Sequence, residues 1–150
     1  YFVFHDGEEA YGEWSETDSL YGSRHLSARW RKESTLARLD ALINLDMIGD
    51  KDLNVVEEQY SSEVLRRLVW GIAAEKGYSR HFRGGAFPIE DDHVPYLRLG
   101  VRALNLIDFS YGPNHSWWHT AEDTMDKLSP RSLEIVGSVV LEAILRLDRQ

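Results

Sequence analysis

Three short apolar runs, separated by stretches with helical periodicity, are the feature that most restricts how this chain folds. The runs span residues 1–4, 41–45 and 103–107, and each is apolar enough to be buried on both faces of a sheet. Strands that alternate with helices are typical of an α/β fold with a mostly parallel sheet. The sequence therefore predicts one α/β domain over residues 1–150, because this length suffices for one hydrophobic core but not for two ordinary domains.

Two helices are predicted between the apolar runs. The first begins at Asp18 or Ser19, either of which can serve as N-cap, and its four-residue spacing places Leu26 and Trp30 on one face. The second covers residues 61–76, where the apolar positions follow the helical repeat, and Gly77 is predicted to end it. These helices are expected to cover the faces of the sheet.

A further helix is predicted near the end of the chain. It begins at Ser129-Pro130, an N-cap residue followed by proline at the first helical position, where the missing amide hydrogen does no harm. The residues expected to point toward the core are Leu133, Val136, Val140, Ile144 and Leu147.

Charge and composition exclude several classes of partner. The net charge is −8 and no basic cluster interrupts it, which argues against nucleic acid or an anionic membrane surface as the main partner. No apolar stretch approaches the length of a membrane span. The absence of cysteine excludes disulfides and thiolate metal ligands within the chain and leaves the redox compartment open. Because the sequence opens at Tyr1 inside a strand-like run, we expect it to be a piece of a longer polypeptide.

Acidic residues and a histidine stand where strands are predicted to end. Glu8 and Glu9 follow the first run, Asp46 closes the second, Asp91 opens a short helix ahead of the third, and His119 lies in the loop after it. In open, mostly parallel sheets, ligands bind beyond the carboxyl ends of the strands. Two neighbouring carboxylates there can divide the work, since one can bind a cation while the other moves a proton.

Each of these residues also has an ordinary structural interpretation. The Glu8-Glu9 pair is compatible with a solvated loop, Asp46 with a turn cap, and Asp91 with the start of a helix, where carboxylates accept from free amides. His119 is compatible with a surface histidine, and single tryptophans are core residues more often than pocket residues. Spacing alone yields no zinc signature, because neither His-Glu-x-x-His nor paired cysteines occur.

Five short motifs follow one another along the chain in an informative order. They are Asp6-Gly7-Glu8-Glu9-Ala10 with Trp14-Ser15, the segment from Asp18 to Leu26, Leu45-Asp46-Met47-Ile48-Gly49, the segment from Asp91 to Leu97, and Trp118-His119-Thr120 with Asp123. Together they closely resemble the glutaminyl-peptide cyclotransferases, or glutaminyl cyclases, over essentially the whole chain. The resemblance implies the fold of the M28-type zinc aminopeptidases, an α/β zinc-exopeptidase-like three-layer sandwich with a central mixed, mostly parallel sheet.

The resemblance also assigns roles to individual residues. It makes Glu9 and His119 zinc ligands and Glu8 the proton shuttle. Asp46 and Asp91 correspond to the acidic residues beside this shuttle. The family's third zinc ligand is an aspartate well upstream, for which this chain has no counterpart. The chain is therefore expected to be the C-terminal part of a larger zinc-peptidase-like domain.

The family's reaction converts the N-terminal glutamine of a peptide, and more weakly glutamate, to pyroglutamate, with release of ammonia from glutamine. The resemblance thus implies a zinc-dependent acyltransferase with one zinc per site, acting on peptide or protein N-termini in a secreted, periplasmic or secretory-pathway setting. Trp14 and Trp118 correspond to the aromatic residues that wall the substrate pocket. Glu90 stands where animal members have glutamine, which leaves substrate preference open.

Two alternatives remain at this point. A di-zinc aminopeptidase of the M28 type has the same fold, and in it Asp46 would bind a second zinc while Glu8 activates water. The tryptophans argue against this alternative, because they fit the cyclase pocket. The other is a binding domain that keeps the fold without catalysis. A serine hydrolase is excluded for this chain, since no Gly-x-Ser-x-Gly motif occurs.

Overall fold

A computed structural model describes residues 1–149 and shows an α/β protein built on parallel strand pairs. The helices are α1 (Tyr21–Lys32), α2 (Glu63–Glu75), α3 (Val94–Leu97) and α4 (Pro130–Leu147), and the strands are β1 (Leu42–Asp46), β2 (Glu57–Glu58), β3 (Ala86–Phe87) and β4 (Ala103–Ile107). β1 pairs with β4, with Leu42 opposite Ala103 and Asp46 opposite Ile107, and β2 pairs with β3.

The hydrophobic core forms where α2 and α4 pack against each other and α2 meets β4. Each fully buried aliphatic side chain contributes about 1.5–3 kcal/mol relative to exposure, so this layer dominates stability. Its buried members are Leu53, Val55, Leu65, Val69, Ile72, Ala73, Phe82, Leu104, Leu106, Ile135, Val136, Val139, Val140 and Ala143. The layer fixes the carboxyl ends of β1 and β4 relative to each other.

Several sequence predictions are confirmed by this structure. The third apolar run forms β4 over the predicted residues, and all five side chains are buried. α4 begins at Pro130, and the Ser129 hydroxyl accepts from the backbone amide of Arg131 as a helix cap does. Gly77, with φ +76°, follows α2 in the left-handed conformation that commonly ends helices.

The prediction of a buried strand over Tyr1–Phe4 is wrong. These residues are not in a strand, and Phe2 and Phe4 are 93% and 97% exposed. Among residues 1–149 no strand pairs with this run, and an extended apolar segment becomes a strand only when a neighbour supplies hydrogen bonds. β1 is likewise only half-buried, with Leu45 43% exposed, because β4 is its one neighbour in the described part of the chain.

The predicted cap of α1 is also wrong. The helix begins at Tyr21 after Leu20, whose φ is 50°, and no side chain caps it. The Asp18 carboxylate instead accepts from two backbone amides of the preceding loop and from the Tyr21 hydroxyl. The Ser19 hydroxyl donates to the backbone carbonyl of Ser15. Both candidate caps therefore organise the loop before the helix.

The inward face of α4 differs from the prediction at two positions. Leu133 and Ile144 are 48% and 43% exposed, whereas Ile135 and Val139 are buried. The helix carries apolar residues on more than one face, so periodicity alone could not select the face that packs on α2. None of the helices in residues 1–149 combines the length and apolar character that a membrane span requires.

Candidate active site

Three carboxyl groups from separate segments influence one another at the end of β1. Burial, followed by the charge of Asp91, raises the pKa of Glu8 to about 8 and that of Asp46 to about 7. The pKa of Asp91 is also raised, chiefly by burial. Carboxylates that are partly or fully buried and interact through their charges cannot all ionise without a large electrostatic cost. Near neutral pH the group therefore holds at least one proton.

The raised pKa of Asp46 has a measurable consequence for stability. Between its ordinary value of 3.8 and about 7, the folded state binds more protons at Asp46 than the unfolded state does. Stability contributed by this group therefore falls as pH rises through that interval. We expect Asp46→Asn to be more stable than the wild type by at least about 1 kcal/mol near pH 8. Urea unfolding at several pH values measures this, and parallel pH profiles for the two proteins would contradict it.

A buried asparagine holds Asp91 in place. Asn105 lies in the middle of β4 with no exposure, and its side-chain amide donates to Asp91 Oδ2 at 2.8 Å. Asn44 on β1 donates to Asn105 Oδ1 at 3.0 Å, which fixes the amide orientation. The Ser61 hydroxyl accepts from the Asn105 backbone amide at 2.9 Å. The sequence analysis missed Asn105, although a polar residue inside a fully buried strand was a usable signal.

Glu58 and His93 form a buried pair beside Ser61. Both side chains are fully buried, and His93 Nε2 is 3.0 Å from Glu58 Oε2. The Ser61 hydroxyl donates to the same oxygen at 2.8 Å, which joins the pair to Asn105. Burial alone would raise the pKa of Glu58, but the hydrogen bonds from His93, Tyr60 and Ser61 outweigh it and lower the pKa. The sequence analysis missed this pair as well, because two adjacent glutamates, Glu57 and Glu58, ordinarily indicate an exposed segment.

The backbone that carries Glu8 is fixed by the start of α1. The amides of Leu20 and Tyr21 donate to the carbonyls of Glu8 and Gly7, both at 2.8 Å, and the amide of Gly22 donates to the carbonyl of Asp6 at 3.0 Å. These are first-turn amides that have no partner inside the helix. The segment from Asp6 to Glu8 thus supplies the acceptors that the uncapped helix needs, and in return the helix fixes the position of Glu8.

Gly22 permits this close approach. A Cβ at Gly22 would lie 2.5 Å from the carbonyl oxygen of Asp6, which is backbone and cannot rotate away. We therefore expect Gly22→Ala to push the segment from Asp6 to Glu8 away from α1. Turnover in any reaction that depends on Glu8 should then fall by about 10-fold or more, since small displacements of reacting groups have large effects. Gly71→Ala is the matched control, because its Cβ meets nothing within 4 Å. Equal turnover of the two variants would contradict the prediction.

Glu9 and His119 meet at the surface. His119 Nε2 is 2.7 Å from Glu9 Oε1, and the two side chains are 50% and 61% exposed. The Trp118 ring stacks on the His119 imidazole, with 4.0 Å between centroids and 26° between planes. His119 has φ 56°, an uncommon conformation for a non-glycine residue. A carboxylate oxygen and an imidazole nitrogen this close are donors of the kind that zinc accepts.

Glu9 and His119 are two donors of the types found in zinc sites. Within residues 1–149 no three histidine, cysteine, aspartate or glutamate side chains are grouped so that they could hold a metal ion. A catalytic zinc ordinarily has three protein ligands and one open position. The described residues thus present two of the three protein donors that such a site would require.

The two tryptophans border this region. The Trp14 indole donates from Nε1 to Glu90 Oε2 at 3.0 Å, next to Asp91, and Arg98 holds the other Glu90 oxygen at 3.4 Å. Trp118 also makes an edge-on contact with Phe109, with 5.5 Å between centroids. Both indoles are about 40% exposed, Trp14 at 41% and Trp118 at 40%, so neither is a core residue.

The fold and this group of side chains define an α/β protein of the zinc-exopeptidase-like class, which confirms the predicted fold class. The chain belongs to peptidase family M28, whose sequence model matches residues 1–144. Within the family it is similar to glutaminyl cyclases, as the motifs indicated. It is 36% identical over 141 residues to the glutaminyl-peptide cyclotransferase of Drosophila melanogaster, covering 81% of this chain and 39% of the fly protein.

The chain is also similar to solved structures of glutaminyl cyclases and of an aminopeptidase. The crystal structure of an Acidobacteriales bacterium glutaminyl cyclase matches with a TM-score of 0.93 and 43% identity, over 97% of this chain and 52% of that one. A leucine aminopeptidase precursor from Bacteroides thetaiotaomicron matches with a TM-score of 0.78 and 27% identity, over 94% and 49%. The chain thus spans about half the length, or less, of the relatives it matches.

Proposed function

We propose that the full-length protein cyclises the N-terminal glutamine of peptides, and more slowly N-terminal glutamate, to pyroglutamate. The observation that carries the proposal is the juxtaposition of Glu8, in its acidic group, with the Glu9–His119 pair. The similarity to glutaminyl cyclases over most of the chain supports it. In the reaction the α-amine attacks the carbonyl carbon of the side-chain amide, and the amide nitrogen leaves as ammonia; with glutamate, a carboxyl oxygen leaves as water.

Glu8 is proposed to move the proton. It takes a proton from the attacking α-amine and delivers one to the departing amide nitrogen. A carboxyl group serves both steps best when its pKa lies close to the working pH, and burial beside Asp91 raises the pKa of Glu8 to about 8. Asp46 and Asp91, whose pKa values are also raised, are proposed to hold charge and protons beside it.

Glu9 and His119 are proposed to hold one zinc ion, with a third ligand from a part of the protein outside these residues. When bound there, zinc supplies a Lewis acid that polarises the γ-carbonyl and stabilises the developing oxyanion. Trp14 and Trp118 are proposed to enclose the small glutamine side chain and to exclude water. Because cyclisation is intramolecular, holding the folded side chain in place contributes much of the rate.

The test is direct. The full-length protein is incubated with a short peptide that bears N-terminal glutamine, and both ammonia and product mass are followed. We expect a product lighter by one ammonia molecule with unchanged chain length, loss of activity on chelation, and recovery with zinc. Release of the first amino acid would instead identify an aminopeptidase.

The aminopeptidase alternative is favoured by one observation, the match to a leucine aminopeptidase precursor at 27% identity. In that case Asp46 would be a ligand of a second zinc and Glu8 would activate water. The higher identity to the bacterial cyclase, 43%, favours the cyclase. Zinc content separates the two, since one zinc per chain supports cyclisation and two support peptide hydrolysis.

A further inference from the structure

We propose that His5 is a positioning residue, which joins Asp92 and Tyr96 and thereby fixes the segment that carries Glu8 against the segment that carries Asp91. The inference deepens the proposed function and rests on it, because the distance between these two segments matters only if their carboxyl groups act together. His5 lies just outside the sequence motif that begins at Asp6, and the motifs gave it no role.

The contacts are buried. His5 Nε2 lies 3.0 Å from the Tyr96 hydroxyl, and His5 Nδ1 lies 3.3 Å from Asp92 Oδ2. The side chains of His5 and Asp92 are each 10% exposed, and Tyr96 is fully buried. Hydrogen bonds shielded from water in this way are stronger and hold their partners more rigidly than exposed ones.

The chemistry of the three groups is compatible with both contacts. Burial, assisted by the charge of Asp92, raises the pKa of Tyr96 to about 12, so the phenol keeps its proton and can donate to His5 Nε2. With the phenol as donor, the imidazole hydrogen lies on Nδ1, the atom that contacts the Asp92 carboxylate at 3.3 Å.

His5 lies where the segment that carries Glu8 meets α3 and the segment that carries Asp91. α1 holds the backbone carbonyls of Asp6, Gly7 and Glu8 from one side, whereas His5 connects the same segment to Tyr96 in α3. Asp92 directly follows Asp91, so the bond from His5 ties the two acidic segments together. Among residues 1–149, Asp92 Oδ1 is buried without a hydrogen-bond partner, so the Asp92 carboxylate depends on its contact with His5 through Oδ2.

The experiment uses the full-length protein and a peptide with N-terminal glutamine. His5→Phe keeps an aromatic ring but removes both polar contacts, and we expect kcat to fall by about 10- to 100-fold with KM changed by less than about 3-fold. His5→Gln supplies one donor and one acceptor, and it should recover most of the lost kcat. His25→Phe is the matched control, the same substitution at an exposed residue of α1, and it should leave kcat unchanged.

A second readout does not depend on activity. In His5→Phe, hydrogen exchange at the amides of Leu20, Tyr21 and Gly22 should accelerate, because their carbonyl acceptors lie on the released segment, while exchange in α4 stays at the wild-type rate. Tyr96→Phe should have a smaller effect on kcat than His5→Phe, and it should add nothing in the His5→Phe background.

The outcomes separate the two proposals. Unchanged kcat and unchanged exchange at these three amides in His5→Phe would overturn the positioning role. Faster exchange throughout the chain without recovery by His5→Gln would overturn it too, because that result reports general loss of structure. If the wild type fails to cyclise the peptide, the proposed function fails. The exchange pattern then decides whether His5 holds the segment.

Discussion

Glu8→Gln should abolish most turnover while leaving the protein folded and its zinc content unchanged. Glutamine keeps the size and polarity of the side chain but neither takes up nor releases a proton near neutral pH. General acid–base groups contribute about 10²- to 10⁴-fold, so kcat should fall within that range. Ammonia release under saturating peptide measures it, and KM should change little because the substrate pocket is intact.

Glu9→Gln is the matched control for this experiment. It makes the same chemical change one residue along, at the carboxylate that contacts His119. We expect this variant to lose zinc, and excess zinc should partly restore its activity, whereas excess zinc should not restore Glu8→Gln. If Glu8→Gln retains wild-type turnover, Glu8 is not the shuttle. If both variants lose zinc equally, the division of work between the two glutamates is wrong.

Glu58→Ala should destabilise the protein by several kcal/mol, because each buried polar group left without its hydrogen-bond partner costs about 1–3 kcal/mol. The Glu58 carboxylate contacts His93 and accepts from the amides of Tyr60, Ser61 and Ile89, and alanine would leave these four groups without that acceptor. Equilibrium unfolding in urea measures the loss. Asp91 would be disturbed as well, through Ser61 and Asn105, so turnover should also fall.

Glu57→Ala provides the control one residue away. Glu57 is half-exposed and lies 3.8 Å from Arg66, and surface pairs of this kind contribute about 0–1 kcal/mol. The pH dependence gives a further check, because the pKa of Glu58 is lowered in the folded state from its ordinary 4.5. The stability it contributes is fully present above that value and declines as pH falls through the lower folded pKa. A stability difference that does not shrink in acid would contradict the role of the ionised carboxylate.

The parts of the fold that were predictable are those whose signals are local. Ser129-Pro130 identifies the start of α4 because cap and proline act on the helix they begin, and Gly77 identifies the end of α2 for the same reason. The run at Tyr1–Phe4 carries the same apolar signal as β4 yet forms no strand, because a strand needs a partner that its own sequence does not specify.

The residues of the candidate site likewise fall into those with a local sequence signal and those without one. Glu8 and Asp46 could be found because they stand next to apolar runs and match a family motif. His5, Glu58 and Asn105 could not be placed in this way, since their partners are remote in sequence, such as Asp91 for Asn105 and Tyr96 for His5. Their role lies in hydrogen bonds across the fold, and no spacing rule encodes those.

The pairing of β1 with β4 also determines when the site can appear during folding. Asn44 and Asn105, which face each other across the two strands, are 61 positions apart in the chain. Closing such a long loop is entropically unfavourable and slow, whereas α1, α2 and α4 form from contacts close in sequence. We therefore expect Asp46 and Asp91 to be brought together only after these helices have formed. In a refolding experiment, activity should return at the rate at which β1 pairs with β4, and not at the faster rate at which the helices form.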